Sequence, residues 1–150
     1  MSLLALPSQA VACSCMRPQD LTERQTRSLL KDVSFIARGH VVAVNYPLGC
    51  RIAPLRWVHT VIGTRLPVTY TIALRQILLG PSVRTTQVVQ HQAVGLDGCQ
   101  PLGSSACEPA LPNGDALWVL NRMPNGEQRY AGRCGLMLAP YFLRMAKQNT

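Results

Sequence analysis

The chain has 150 residues, a hydrophobic fraction of 47% and a formal net charge of +8. This length suits one domain with its own core, and no apolar run approaches the roughly 18 residues that cross a bilayer, so we expect no transmembrane segment. This charge permits an acidic partner. The arginines are scattered from Arg17 to Arg144, however, and the sequence has no basic run with interleaved aromatic residues, which nucleic-acid binding would need.

Residues 1–12 are similar to the last part of a secretory signal. Ala10 and Ala12 place small residues at positions −3 and −1 before Cys13, as signal peptidase requires, so Cys13 is a candidate mature N-terminus. The basic region and most of the apolar core of a signal are missing, which suggests a start assigned too late or a truncated sequence. Lipidation of Cys13 is an alternative, but a lipobox has Leu where Ala10 stands. We therefore expect a partial signal over 1–12 and one domain over 13–150.

All six cysteines stand at or after the predicted cleavage site. This even number indicates an oxidising compartment and as many as three disulfides. They are Cys13, Cys15, Cys50, Cys99, Cys107 and Cys134. Zinc ligation is disfavoured because no Cys-x2-Cys pair occurs and no histidine pairs with another ligand at helical spacing. We expect a secreted or periplasmic protein with no cofactor and no metal of its own. In an extended segment Cys13 and Cys15 point the same way, which would leave a clamped terminus with Ser14 facing outward.

The first predicted elements are a short helix and a long bent strand. Asp20 and Glu23 have capping-box spacing, which predicts a helix over Leu21–Lys31. The following residues, 33–46, are β-branched and aromatic with Gly39 in the middle. A glycine there would let one strand bend sharply enough to serve two sides of a small barrel.

The middle of the chain predicts a loop and a strand pair. Residues 47–65 carry no sustained period and are interpreted as a long loop, with a short strand possible at 57–62. Residues 66–79 alternate apolar and polar side chains and predict a half-buried strand that Gly80-Pro81 ends. A third strand over 83–94 would pair with it antiparallel, because the turn between them is short.

The last third predicts a loop, a hairpin and a closing helix. Residues 95–115 are rich in Gly, Ser and Pro and indicate a loop. Strands over 116–122 and 128–134 flank Asn125-Gly126, a strong hairpin signal. Residues 136–147 place apolar side chains at helical spacing. The fold class is therefore mainly β with one N-terminal and one C-terminal helix, and five strands predict a disulfide-stapled OB-like barrel.

The cysteine pattern adds a more specific likeness. A Cys-x-Cys start, the strand from Phe35 to Val42, Cys107 before the fourth predicted strand and Cys134 ending the fifth stand in order. This pattern resembles the N-terminal, netrin-like domain of the tissue inhibitors of metalloproteinases and its short bacterial secreted relatives. The likeness covers roughly residues 13–141.

The resemblance implies two disulfides, Cys13 to Cys107 and Cys15 to Cys134. Each would close a loop of around a hundred residues, which stabilises the fold by about 4 to 5 kcal/mol in the chain-entropy model. Cys50 and Cys99 are then left over, and we expect them to join the long first loop to the loop after the third strand.

The resemblance also implies a mechanism and an inhibitory edge. In such inhibitors the α-amine and carbonyl oxygen of the first cysteine, here Cys13, bind the catalytic zinc of a protease. Ser14 would enter the specificity pocket, and the rest of the edge would be Cys15, Met16, Arg17, Ser104, Ser105 and Ala106. The implied partner is a zinc metalloprotease, bound by a monomer.

A non-inhibitory netrin-like interaction or structural module is the main alternative function. A nucleic-acid-binding OB fold is disfavoured because only 5% of residues are aromatic. An enzyme is not expected, since the chain has no Gly-x-Ser-x-Gly elbow, few carboxylates and no free cysteine if all six are paired.

Overall fold

A computed structural model describes residues 15–101 and 110–148 of the chain. These residues form a 3-10 turn at Pro18–Asp20, four α-helices and one six-stranded sheet. The helices are α1 (Glu23–Asp32), α2 (Leu48–Arg51), α3 (Ala53–Ile62) and α4 (Gly132–Gln148). The strands are β1 (Val33–Asn45), β2 (Arg65–Leu79), β3 (Thr85–Gly95), β4 (Gly98–Gln100), β5 (Ala116–Arg122) and β6 (Gln128–Tyr130).

The sheet is antiparallel throughout and has the order β4-β3-β2-β1-β5-β6. This confirms the mainly-β class and the antiparallel pairing of β2 with β3. The count of five strands was wrong, because β4 returns on β3 after a tight turn inside the segment expected to be a loop. The hydrogen-bonded sheet is open, so the barrel stays a prediction.

The long first strand bends where the sequence placed its glycine. Its pairing with β2 changes register at three places, one of them between Arg38 and Gly39. A Cβ atom at Gly39 would overlap the backbone oxygen of Ala73 on β2. The indole nitrogen of Trp118 donates to the carbonyl oxygen of Gly39 at 3.0 Å. Gly39 therefore allows the close approach of two strands at an irregularity that β1 needs to bend.

The sheet has a hydrophobic cluster on each face. One cluster gathers side chains from four strands, namely Phe35, Ile72, Val88, Trp118 and Leu120. The other lies where α4 packs on the sheet, and its members are Ile36, Val119, Leu138, Ala139 and Phe142. Because side chains alternate along a strand, Val119 points under α4 while its neighbours Trp118 and Leu120 point into the first cluster.

Side chains bring the far strand β6 toward β3. The amide nitrogen of Gln128 donates to the hydroxyl of Thr86 at 2.7 Å and to the carbonyl oxygen of Gln87 at 3.1 Å. Next to them, a ring nitrogen of His91 lies 3.4 Å from a carboxylate oxygen of Glu127. The sheet is therefore strongly curved. The contacts between β6 and β3 described here are made by side chains and do not form a backbone ladder.

The predictions for α1 and for residues 47–65 need correction. The cap of α1 is Thr22, which forms a capping box with Gln25, so Asp20 and Glu23 do not cap it. Residues 47–65 form α2 and α3 instead of a loop with a short strand. In α3, a proline in the first turn and the left-handed Gly63 (φ 74°) at the end mark the boundaries.

The closing helix begins earlier than its apolar pattern predicts. β6 ends at Tyr130 and α4 begins at Gly132, so Cys134 lies in the first turn of α4 and does not end a strand. The Asn125-Gly126 hairpin is confirmed, with Gly126 at φ 88°. The amide of Met123 donates to the carbonyl oxygen of Glu127 at 2.8 Å and so closes the hairpin loop.

Candidate functional site

The N-terminal edge of the described chain is held by a disulfide between Cys15 and Cys134. The two Cα atoms lie 5.1 Å apart, and 119 residues separate them in sequence. The pair is the one that the resemblance implied, although Cys134 reaches it from a helix instead of a strand. The bond therefore fixes the segment that follows Cys13 and Ser14 to the start of α4.

Close packing fixes the start of α4 on the sheet. Gly132 has φ 67°, a left-handed conformation that lets the chain turn directly from β6 into the helix. A Cβ atom at Gly135 would lie 3.1 Å from Cγ1 of Val119 and would overlap Ala131, so the helix backbone lies against β5. Leu138 and Phe142 are buried one and two turns later. Cys134 is therefore attached to the rigid part of the fold.

The residues after Cys15 leave the edge open to a partner. The side chain of Met16 is 56% exposed, and Arg17 is also exposed. The amide of Asp20 donates to the carbonyl oxygen of Arg17 at 2.9 Å, which turns the chain toward α1. Met16 and Arg17 are thus accessible and directly follow the anchoring cysteine, as the predicted inhibitory edge requires.

The remaining predicted edge residues lie outside the described residues. They are Cys13, Ser14, Ser104, Ser105, Ala106 and Cys107, together with the proposed bond between Cys13 and Cys107. Pro101 and Ala110 are the described residues on either side of residues 102–109. Of the predicted edge, the structure thus places Cys15, Met16 and Arg17.

A second disulfide joins Cys50 to Cys99, the two cysteines that the resemblance left over. Cys50 is buried in the short helix α2, and Cys99 lies in the middle of β4. The bond links the connection between β1 and β2 to the outer edge of the sheet. Within the described residues no cysteine is free.

A cavity of about 680 Å³ lies over one face of β1, β2 and β3. Its wall includes His40, Tyr70 and Gln90, and residues 110–115 form the opposite side. Behind the wall, fully buried Gln92 donates through its amide nitrogen to the hydroxyl of Tyr70 and to the side-chain oxygen of Gln90. Burial raises the pKa of Tyr70, and the hydrogen bond from Gln92 opposes this only in part. Tyr70 is therefore a neutral hydroxyl at physiological pH.

Glu127 lies in a group of charges with His91 and Arg129. Burial opposes ionisation of Glu127, but hydrogen bonds from His91 and Asn125 and the charges of His91 and Arg129 outweigh it, so its pKa is lowered. The carboxylate lies 3.5 Å from the guanidinium of Arg129. This group ties the β5–β6 hairpin to β3, which is a structural task.

Sequence reasoning missed the surface of α3. Its large apolar side chains face solvent; Trp57 is 60%, Val61 68% and Ile62 69% exposed. The spacing of Leu55, Val58 and Ile62 at i, i+3 and i+7 was a helical signal, bounded by a proline and a glycine. The signal was missed because the helix has only ten residues, so the pattern covers fewer than three turns.

Two further findings concern metals and membranes. Across residues 15–101 and 110–148, no group of three His, Cys, Asp or Glu side chains is arranged to hold a metal ion. None of the helices in this part of the chain is long and apolar enough to cross a membrane.

No protein-family model, curated protein or solved structure matches the chain.

Proposed function

We propose that this chain is a secreted inhibitor of zinc metalloproteases that acts through a mature N-terminus at Cys13. The observation that carries the proposal is the disulfide from Cys15 to Cys134, which attaches the segment next to Cys13 to a helix packed on the sheet. The exposed Met16 and Arg17 continue from this anchor and are free to run along a protease cleft.

The chemistry follows from the ligands that a free N-terminal cysteine offers. A catalytic zinc keeps one coordination position for water or substrate. The α-amine and carbonyl oxygen of Cys13 can replace that water and close a five-membered chelate ring on the metal. The amine must be neutral to bind, and an α-amine has a pKa of about 8, so the neutral form is accessible near pH 7.

Rigidity explains why a disulfide would be placed beside the reactive terminus. A flexible terminus would lose conformational entropy when it entered a protease cleft, which weakens binding. Anchoring Cys15 removes part of that cost before binding. In this proposal a second bond from Cys13 to Cys107 removes more of it and places Ser105 and Ala106 beside Ser14.

The proposal is tested with oxidised protein whose first residue is Cys13. Mass spectrometry verifies the terminus and the six oxidised thiols, and the protein is titrated against a panel of zinc endopeptidases. One alanine added before Cys13 is the matched control, because it turns the amine into an amide without touching the fold. We expect inhibition by the first form and its loss in the second. Equal inhibition by both forms would overturn the mechanism.

A second candidate is a non-inhibitory interaction module in the periplasm or extracellular space. The outward apolar side chains of α3 favour it, because contiguous exposed apolar surface marks interaction sites. This function needs no free amine at Cys13. A panel in which no protease responds, while a partner binds through α3, would favour this second function.

A further inference from the structure

Helix α3 is attached to the fold by its polar side. The hydroxyl of Thr60 donates to the carbonyl oxygen of Val94 on β3 at 3.1 Å. The ring of His59 packs against Gly49, where an added Cβ would come within 2.8 Å of the ring carbon Cδ2. Arg56, His59 and Thr60, at i, i+3 and i+4, are half-buried, while no residue of α3 is fully buried. The amphipathic helix thus turns its polar stripe inward.

The outward side of α3 is a continuous apolar surface. On a helix, residues three and four apart are neighbours, so Leu55, Val58 and Ile62 form one row and Trp57 and Val61 a second beside it. Leu48 and Ile52, which precede α3, are also exposed. We call the set Leu48, Ile52, Leu55, Trp57, Val58, Val61 and Ile62 the apolar face. Exposure of so many large side chains on one short segment is unfavourable unless something covers them.

The segment that carries this face is basic. Residues 48–65 contain three arginines and no Asp or Glu, and the one carboxylate in the turn that the Cys50–Cys99 disulfide holds near α2 is Asp97. Arg51 lies within the segment that carries the apolar face and is exposed. The sequence around the apolar face is therefore basic, which favours an anionic partner.

We propose that the apolar face docks on an anionic lipid surface, with Trp57, Val61 and Ile62 inserted at the boundary between headgroups and acyl chains. Interfacial helices bind in this way, with aromatic and aliphatic side chains toward the lipid and basic residues at the headgroups. A second copy of the chain is disfavoured as the occupant, since it would bring a second basic segment, residues 48–65, against the first. The proposal does not depend on inhibition of a protease or on a free amine at Cys13.

The proposal is tested by co-sedimentation of the oxidised chain with lipid vesicles. Vesicles of phosphatidylcholine alone are compared with vesicles that contain about one-third phosphatidylglycerol. The chain is prepared with and without residues 1–12, so that this apolar segment cannot be responsible for binding. We expect both forms to bind the anionic vesicles, with weaker binding at high salt, and not the neutral ones.

Two variants and a control locate the contact. The double variant V61S/I62S should lower partitioning at least about tenfold, because two buried aliphatic side chains are lost from the lipid contact. R51Q should lower partitioning roughly fivefold, because each basic residue near an anionic surface adds to the binding affinity by about this factor. L29S/L136S changes two exposed leucines on α1 and α4 and should leave it within about twofold. Near-ultraviolet circular dichroism verifies that each variant is folded.

Tryptophan fluorescence gives an independent readout. Trp57 is 60% exposed, whereas Trp118 is fully buried, so insertion should shift only the emission of Trp57 to shorter wavelength. W57F should still bind anionic vesicles but lose the shift. The proposal is overturned by equal binding to both vesicle types, or by equal losses in V61S/I62S and the control. Self-association in place of vesicle binding, abolished by V61S/I62S, would also overturn it and would assign the face to a dimer.

Discussion

Gly39 shows how one residue sets the path of the longest strand pair. Its hydrogen atom occupies a place where a Cβ would overlap the carbonyl oxygen of Ala73. We therefore expect Gly39→Ala to destabilise the fold by about 2 to 4 kcal/mol, since β1 and β2 must separate and the bond to Trp118 must shift.

Gly95→Ala is the matched control for this change. An added Cβ at Gly95 would meet only the oxygen of Gly98, at an ordinary distance of 3.4 Å. Urea denaturation should show a small change for the control and a large loss for Gly39→Ala. If the two variants were equally stable, the close approach at Gly39 would not hold the strand pair.

Glu127 makes stability depend on pH in a defined direction. Its folded pKa is lowered below the ordinary value of 4.5, so its ionised form stabilises the fold above that value. The stabilisation is lost as the pH falls through the lowered pKa. Unfolding free energies of Glu127→Gln should therefore depend less on pH below about 4.5 than those of the wild type.

Glu23→Gln is the control for Glu127→Gln, because it removes an exposed carboxylate that pairs with Arg27 on the same helix. Its pH profile should follow the wild type closely, as exposed pairs contribute little. A profile of Glu127→Gln that also follows the wild type would show that the group around His91 does not stabilise the folded state.

At the scale of elements, the two disulfides of the described residues should differ in their effect on the proposed inhibition more than in their effect on stability. They span 119 and 49 residues, which in the chain-entropy model gives upper values of about 5 and about 4 kcal/mol. Cys15→Ala/Cys134→Ala should release the N-terminal edge and weaken protease inhibition. Cys50→Ala/Cys99→Ala should lower the melting temperature but leave inhibition nearly intact while the protein is folded.

Thermal unfolding and inhibition titrations on the two variants check this expectation. Inhibition is measured below the melting temperature of each variant, so that loss of fold is not mistaken for loss of the edge. An inhibitor that needs Cys50 and Cys99 as much as Cys15 and Cys134 would mean that the edge is not the site of action.

The sequence predicted the strands better than the helices, and the reason is physical. The strand at 65–79 buries Val68 and Ile72 on one face, whereas the strands at 33–45 and 116–122 each bury three consecutive side chains on both faces, so the apolar residues of all three reflect their environment. Helix α3 has helical spacing of its apolar residues, but it is only ten residues long, so the pattern covers fewer than three turns. α4 begins at Gly132 because of a glycine turn and close packing on Val119, which no periodicity reports.

The candidate site was predictable only where cysteines mark it. The positions of Cys15 and Cys134 led to a pairing that the structure contains, although α4 rather than a strand supplies Cys134. The apolar face of α3 was not predicted, since its residues were interpreted as a loop with a short strand. Burial, and not residue type, distinguishes a surface for a partner from a face that packs on the core.

For the whole molecule, the proposed inhibition should depend on the protonation of the terminal amine. Because zinc binds only the neutral amine, affinity should fall about tenfold for each pH unit below about 7. The check is the inhibition constant measured from pH 6 to pH 9, with the protease's own kcat/KM recorded at each pH. A constant affinity over this range would exclude the amine as the ligand.

Coordination of the protease metal by Cys13 is the central claim, and it can be observed at the metal itself. A responding protease is loaded with Co²⁺ in place of zinc, and its visible spectrum is recorded while the inhibitor is added. We predict that the form beginning with Cys13 changes the spectrum, because a nitrogen ligand replaces water, and that the form with one extra alanine does not. Inhibition without a spectral change, or the same change with both forms, would contradict the account.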